Sequence, residues 1–327
     1  MSTMRAATYS KTGPATDVLT VKSLPLPKPG PHQVRVKLAF SGVNPTDVKS
    51  RAGLTPRSMG KFQIPHHDGA GVIDVVGASV DPSRIGERVW VMLAADNNAY
   101  GTAAEYCVVD VKHVLPLPAD VPFEMGATLG VPAVTAAYCL FADGPIDGQQ
   151  VLIHGGAGGV GRAAIQLAKW AGATVLATAS TPEKQVIARE AGADFVFDYR
   201  DPDVAESIRA VAPKIRRIIE VNLNANMDLD LAVSNPGTVI VVYAADGEDP
   251  VLPRRRFMSA CVTLQFMLLY NTEPQKFTKA LEATQEALAA GALTMPPVRY
   301  FGITEIVDAH LAQEAGPESR ILIDLSK

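Results

Sequence analysis

Val151-Leu152-Ile153-His154-Gly155-Gly156-Ala157-Gly158-Gly159-Val160-Gly161 is a short apolar run that passes directly into the spacing G-x-G-x-x-G, from Gly156 to Gly161. The run reads as a strand covered on both faces, since such strands are continuous rather than alternating in hydrophobicity. Beyond the glycines, Ala163 to Ala171 reads as an amphipathic helix and Thr174-Val175-Leu176-Ala177-Thr178 as a second strand. In that strand–turn–helix–strand setting the glycines predict a dinucleotide cradle rather than a flexible linker. The early glycines permit the tight turn, Gly158 lets backbone approach a pyrophosphate, and Gly161 allows close helix–strand packing. Unpaired N–H groups at the helix start then face the phosphates, with Ala157, Gly159 and Val160 completing the turn.

Thr181-Pro182-Glu183 has the form of an N-cap, a proline at N1 and an acid in the first turn, opening a helix that Gly192 closes. Phe195-Val196-Phe197, Arg217 to Val221, Thr238 to Val242 and Val262 to Phe266 supply four more strands, six in all, as in a doubly wound parallel sheet. An NAD site places an acid at the end of the second strand, about 20 residues past the turn, to accept from the ribose 2′-OH. Here that place reads Ala179-Ser180-Thr181. Ser180 leaves room for a 2′-phosphate and Lys184 is placed to neutralise it, so NADPH is the expected cofactor. A solvated helix lysine remains the other reading of Lys184. Tyr199 and Arg200, just past the third strand, are placed beside the adenine ribose.

Upstream of about residue 125 the rhythm is different. Gln33 to Leu38, parts of Gly71 to Val76, and Arg88 to Val91 alternate with period two, separated by turns such as Pro27-Lys28-Pro29-Gly30-Pro31. This predicts a β-rich barrel or partial barrel. The tail carries a helix capped by Thr272 and stopped by Gly291, a second helix after Thr304, and a strand over Arg320 to Leu325 that returns to the first domain. The expected domains are residues 1–125 with 268–327, and residues 126–267.

The 327 residues suit two domains, and a charge of −4 without a basic face argues against nucleic acid or an anionic membrane as partner. The short run Arg254-Arg255-Arg256 reads as a solvated or interface loop. Three cysteines, Cys107, Cys139 and Cys261, make neither a disulfide framework nor a structural zinc lobe. With no apolar leader at the N-terminus and no uninterrupted run of about 18 apolar residues, a cytoplasmic enzyme is expected.

Two further segments, Ser41-Gly42-Val43-Asn44-Pro45-Thr46-Asp47 and Pro65-His66-His67-Asp68-Gly69-Ala70-Gly71, stand out, together with Gly130 to Tyr138 and Gly237 to Val242. With the glycine turn they resemble the medium-chain dehydrogenase/reductase superfamily over nearly the whole chain. Gly42-Val43-Asn44-Pro45, His154 to Gly161 and Arg217 to Val221 look like its zeta-crystallin-like NADPH:quinone oxidoreductase branch. The resemblance implies an α/β chain with a GroES-like β-rich domain plus a Rossmann doubly wound parallel sheet. It implies hydride transfer from NADPH to a quinone-like acceptor, with an enone or alkenal as the rival acceptor. Cofactor contacts are implied at Asn44, Thr135, Ser180, Lys184, Tyr199, Asn226, Val242, Tyr243, Ala244, Leu264, Gln265 and Phe266. Asn44, Thr46 and Lys49 are the implied donors to a developing oxyanion, although Asn44 also fits an Asx turn before Pro45.

Zinc members of the superfamily have a cysteine where Asn44 stands and a four-cysteine lobe near residues 95–110, where this chain has Cys107 alone. No metal is therefore expected, and zinc-dependent alcohol oxidation is the weakest rival. His67-Asp68 occupies the place of the zinc members' His-Glu pair and reads as a satisfied loop histidine, a polar pocket group or a ligand. Some zeta-crystallin relatives serve as structural or RNA-binding proteins, a reading that the acidic balance disfavours. The apolar stretch Cys261 to Leu269 is suited to extending the sheet across a two-fold axis, as in a homodimer or homotetramer.

Overall fold

β1 (Thr3–Thr8) and β2 (Thr20–Pro25) pair antiparallel, with the short helix α1 (Ala15–Val18) between them in sequence. β3 (Gln33–Val43) buries Val34, Val36 and Leu38 on one face. α2 (Pro45–Ala52) follows it directly, then β4 (Asp68–Val76), β5 (Arg88–Val91), β6 (Tyr106–Asp110) and β7 (Val114–Pro116). The computed structural model describes residues 2–55, 59–245 and 249–326.

α3 (Phe123–Phe141) departs from helical geometry at Gly130, and Pro132 lies just past the break. It is long and apolar enough to cross a membrane, yet 83% of its most apolar window is buried inside the protein. β8 (Gln150–Ile153), α4 (Gly159–Trp170), β9 (Thr174–Thr178), α5 (Pro182–Glu190) and β10 (Phe195–Phe197) alternate as expected. α6 (Val204–Val211), β11 (Ile215–Glu220), α7 (Leu223–Val233), β12 (Val239–Val242), α8 (Arg254–Ala260), β13 (Thr263–Phe266) and α9 (Pro274–Ala289) continue the alternation. The strands form one parallel sheet in the order β10-β9-β8-β11-β12-β13, with the switch point between β8 and β11. This is the doubly wound arrangement.

β14 (Val298–Gly302), α10 (Ile306–Glu314) and β15 (Arg320–Asp324) close the chain. The returning strand is found where it was expected: β15 pairs antiparallel with β3, Ile321 opposite Val43. The first sheet runs β14-β15-β3-β4-β5-β7, with β6 also on β3, over a core that includes Val36, Ile64, Ile73, Val89 and Ile323.

Two expectations need correction. The chain divides into residues 1–131 with 295–327 and residues 132–294, not at 125 and 267. The first half of α3 stays with the β-rich unit, where the Ala127 carbonyl lies 2.2 Å from where a Cβ on Gly42 would be. At the other end α9 belongs to the second unit. Arg162 on α4 donates to the Thr294 carbonyl at 2.7 Å and to its hydroxyl at 2.7 Å, fastening the chain there until it leaves. Second, Thr272 does not cap α9. Its hydroxyl donates to the Leu269 carbonyl, Glu273 is the N-cap residue, and Pro274 supplies the pre-set φ of the first turn.

Candidate functional site

The glycine turn is pinned by backbone on both sides. His154 N–H donates to the Ile219 carbonyl of β11 at 3.0 Å, and Gly156 N–H to the Thr178 carbonyl of β9 at 2.9 Å. Gly155 has φ of +67°, a left-handed conformation that glycine adopts without steric cost. A Cβ on Gly161 would lie 2.1 Å from the Gly155 carbonyl oxygen, so only glycine lets α4 start this close to its strand. Gly158 is the N-cap residue of α4, with no side-chain cap, which leaves the first-turn N–H groups of Gly159, Val160 and Gly161 for an anion. A Cβ on Gly158 would meet only the Gly155 oxygen, at 3.3 Å. These residues fit a dinucleotide pyrophosphate.

At the end of β9, Ala179 is buried and Ser180 half-buried. Thr181 accepts at its hydroxyl from Lys184 N–H at 3.3 Å and so caps α5, as expected. Ser180 and Lys184 therefore flank one tight turn, and the acid there, Glu183, is held below the usual carboxylate range by helix N-terminal N–H groups and Thr181. Tyr199 is 43% exposed. Its neighbour Arg200 is paired with Asp198 at 2.7 Å, a contact that takes up the arginine's charge.

Asn226 is buried in α7 and its amide donates to Glu220 Oε1 at 3.0 Å. Val242 ends β12, Tyr243 N–H donates to the Glu220 carbonyl, and Ala244 is half-buried beside it. Burial pushes the Tyr243 phenol up, well out of the range where it ionises. Leu264 and Gln265 are half-buried and Phe266 is 63% exposed on β13, the edge strand. Thr135 is buried in the second half of α3.

In the β-rich unit, Asn44 is 1% exposed and both ends of its carboxamide are occupied. Nδ2 donates to Asp68 Oδ2 at 2.7 Å, and Oδ1 accepts from the Arg320 guanidinium at 2.8 Å. Its backbone N–H donates to Asp47 Oδ2 at 2.7 Å, starting α2. The Asn44 amide thus bridges a buried acid and a buried base. Thr46 and Lys49, on the same helix, are half-buried.

Asp68 accepts from the Val131 N–H with both oxygens, each at 2.9 Å, one residue past the break in α3. Burial pushes its carboxyl up to about 6, against the lowering effect of Asn44, Val131 and Arg320. His67 is buried, 3.9 Å from Asp47 Oδ1. His66 bonds the Ser41 hydroxyl and the His310 ring, each at 2.9 Å, and burial drives its pKa well down. These donors do not fit a zinc ion. The position of a thiolate holds an amide tied to Asp68, and Asp68 is committed to Val131 and Asn44. Cys107 lies in β6 with its thiol pushed up to about 12 by burial.

Sequence reasoning gave no role to Arg320, Glu220 or Asp230, and named Asp68 only beside His67. Arg320 had no local signal, being 276 residues from its partner Asn44.

A family model described as alcohol dehydrogenase GroES-like domain matches residues 30–119, and one described as zinc-binding dehydrogenase matches residues 159–286. The chain is 30% identical to the quinone oxidoreductase of Homo sapiens over 298 residues, which cover 90% of this chain and 89% of that relative. It is 31% identical to the quinone oxidoreductase of Lama guanicoe over 326 residues, covering 98% and 97%. Among solved structures, that of mycobacterial Rv1454c complexed with NADPH superposes with a TM-score of 0.85 at 26% identity, covering 98% of this chain and 100% of the other.

Proposed function

Because the chain belongs to the quinone oxidoreductase branch of the medium-chain dehydrogenase/reductase superfamily, we propose that it is a zinc-independent, NADPH-dependent quinone reductase. The observation that carries this reading is the pinned glycine turn, with Ser180 and Lys184, rather than an acid, available at the end of the next strand.

When bound, NADPH supplies a hydride to the electron-poor ring of the acceptor, and a proton completes the reduction. Gly156 to Gly161 hold the pyrophosphate against the start of α4, while Ser180 and Lys184 take the 2′-phosphate and Tyr199 flanks the adenine. Val242, Tyr243, Ala244, Leu264, Gln265, Phe266 and Thr135 contact the remainder of the cofactor. Thr46 and Lys49 donate hydrogen bonds to the acceptor oxygen that gains charge. Asn44 supports α2 from beneath through Asp47, Asp68 and Arg320.

The chain acts in the cytoplasm as a homodimer or homotetramer, with β13 as the pairing edge; Phe266 and Leu268 on or just past it are 63% and 54% exposed. The test is oxidation of NADPH and NADH with a benzoquinone, a phenanthrenequinone and a 2-alkenal, with metal analysis of the same sample. Higher kcat/KM for NADPH with quinones in zinc-free protein supports the reading. A preference for the alkenal moves it to enone reduction, and activity that follows bound zinc overturns it.

A further inference from the structure

We propose that His154, Glu220 and Asp230 form a buried proton-carrying network that positions the glycine turn and makes NADPH affinity depend on the protonation of Glu220. The proposal rests on the reading that this turn holds NADPH.

All three side chains are at most 1% exposed. His154 directly follows β8, its backbone opens the turn, and its ring reaches both flanking strands. Nδ1 lies 3.0 Å from the Thr178 hydroxyl of β9, and Nε2 lies 2.9 Å from Asp230 Oδ1 and 3.5 Å from Glu220 Oε2 at the end of β11. One imidazole thus ties the carboxyl ends of three adjacent strands at the switch point of the sheet, where doubly wound proteins bind ligands. The Val221 side chain, one residue past Glu220, lies 3.3 Å from where a Cβ on Gly155 would be.

The charges do not balance. Burial works against a charged His154, but Asp230 and Glu220 outweigh it and hold the pKa above its usual value. Each ring nitrogen faces an oxygen, so a protonated ring has an acceptor for both N–H groups. One imidazolium between two carboxylates leaves one net negative charge in the interior, and Glu220 Oε2 and Asp230 Oδ2 have no hydrogen-bond partner. Burial, with the charge of Asp230, pushes Glu220 up to about 7 despite His154, Asn226 and the Asn222 N–H. The neutral phenol of Tyr243 after β12 also faces it, while Thr178 on β9 faces His154. Burial thus brings Glu220 toward neutrality.

Its negative charge lies beneath a turn built for phosphates and opposes them. Protonation removes that repulsion, so NADPH binds tighter below about pH 7 and drives proton uptake above it. Removing one such charge from near a bound phosphate is expected to change Kd about three- to tenfold.

The experiment compares NADPH Kd for the native chain and Glu220→Gln, by cofactor fluorescence, from about pH 6 to about pH 8.5. The cofactor's own 2′-phosphate titrates equally in both, so the ratio of the two Kd values isolates Glu220. The ratio is expected to rise about three- to tenfold through neutrality; a constant ratio overturns the inference and leaves the NADPH reading intact. Failure of both proteins to bind NADPH at any pH overturns both. Calorimetry of NADH binding to the native chain in two buffers of different ionisation enthalpy is the second measurement, because NADH has no phosphate that titrates here. Proton uptake above pH 7 supports the network. No uptake, or a stoichiometric metal ion lost in Asp230→Asn, overturns it.

Discussion

Asp68 and Val131 meet where α3 breaks: both carboxylate oxygens lie 2.9 Å from one backbone N–H. The acid caps the second half of the helix as a side chain would cap a separate one, and the break exposes that N–H to it. Because the Asp68 carboxyl is raised to about 6, its folded state binds a proton more tightly than the unfolded chain, whose value is 3.8. Its stabilising contribution is therefore present at acid pH and is lost as pH rises through about 6. The native chain should lose about 2 kcal/mol relative to Asp68→Asn between about pH 4 and pH 6.5. Chemical denaturation of both proteins across that range is the check, and a pH-independent difference would sink the assignment.

Gly130→Ala should be destabilising by about 2–4 kcal/mol, since its Cβ would lie 2.0 Å from Asp68 Oδ1. Much of that loss should vanish in an Asp68→Ala background, where the obstructing carboxylate is gone. A double-mutant cycle with additive losses would show that the two residues do not share this space.

Ser180→Asp places at the end of β9 the acid that accepts from a ribose 2′-OH and repels a 2′-phosphate. The ratio of kcat/KM for NADPH to that for NADH should fall about 10- to 100-fold. Steady-state kinetics with one quinone settles it; an unchanged ratio would place the 2′-phosphate elsewhere.

Lys49→Met and Thr46→Val remove the proposed donors to the acceptor oxygen while leaving the glycine turn untouched. Each should lower kcat about tenfold with little change in the KM for NADPH. A rise in cofactor KM at constant kcat would assign these side chains to binding instead.

Much of the second unit was legible because its signals are local. β-branched runs bounded by glycine and proline name each strand within a residue or two, and Thr181-Pro182-Glu183 starts α5 where the sequence says it should. The domain boundaries were not legible, because they depend on what α9 and the first half of α3 pack against, and apolar helices carry no label for their partner. Asn44 was found by position, but the network that holds it was not. Its partners Asp68 and Arg320 are 24 and 276 residues away, and a side chain's hydrogen bonds cannot be read from its neighbours in the chain. Glu220 was noticed only as the end of a strand, and Asp230 not at all, because burial is what gives both acids their meaning.

Quinones are electrophiles as well as oxidants, and a thiolate adds to their rings. Cys107 and Cys139 are buried and their thiols are pushed up to about 12, so neither presents a nucleophile near neutral pH. Only Cys261 reaches solvent. A chain that turns over such acceptors with two of its three thiols sealed in the core has little in it for its own substrate to arylate: mass spectrometry should find a single adduct on the folded protein and three after unfolding.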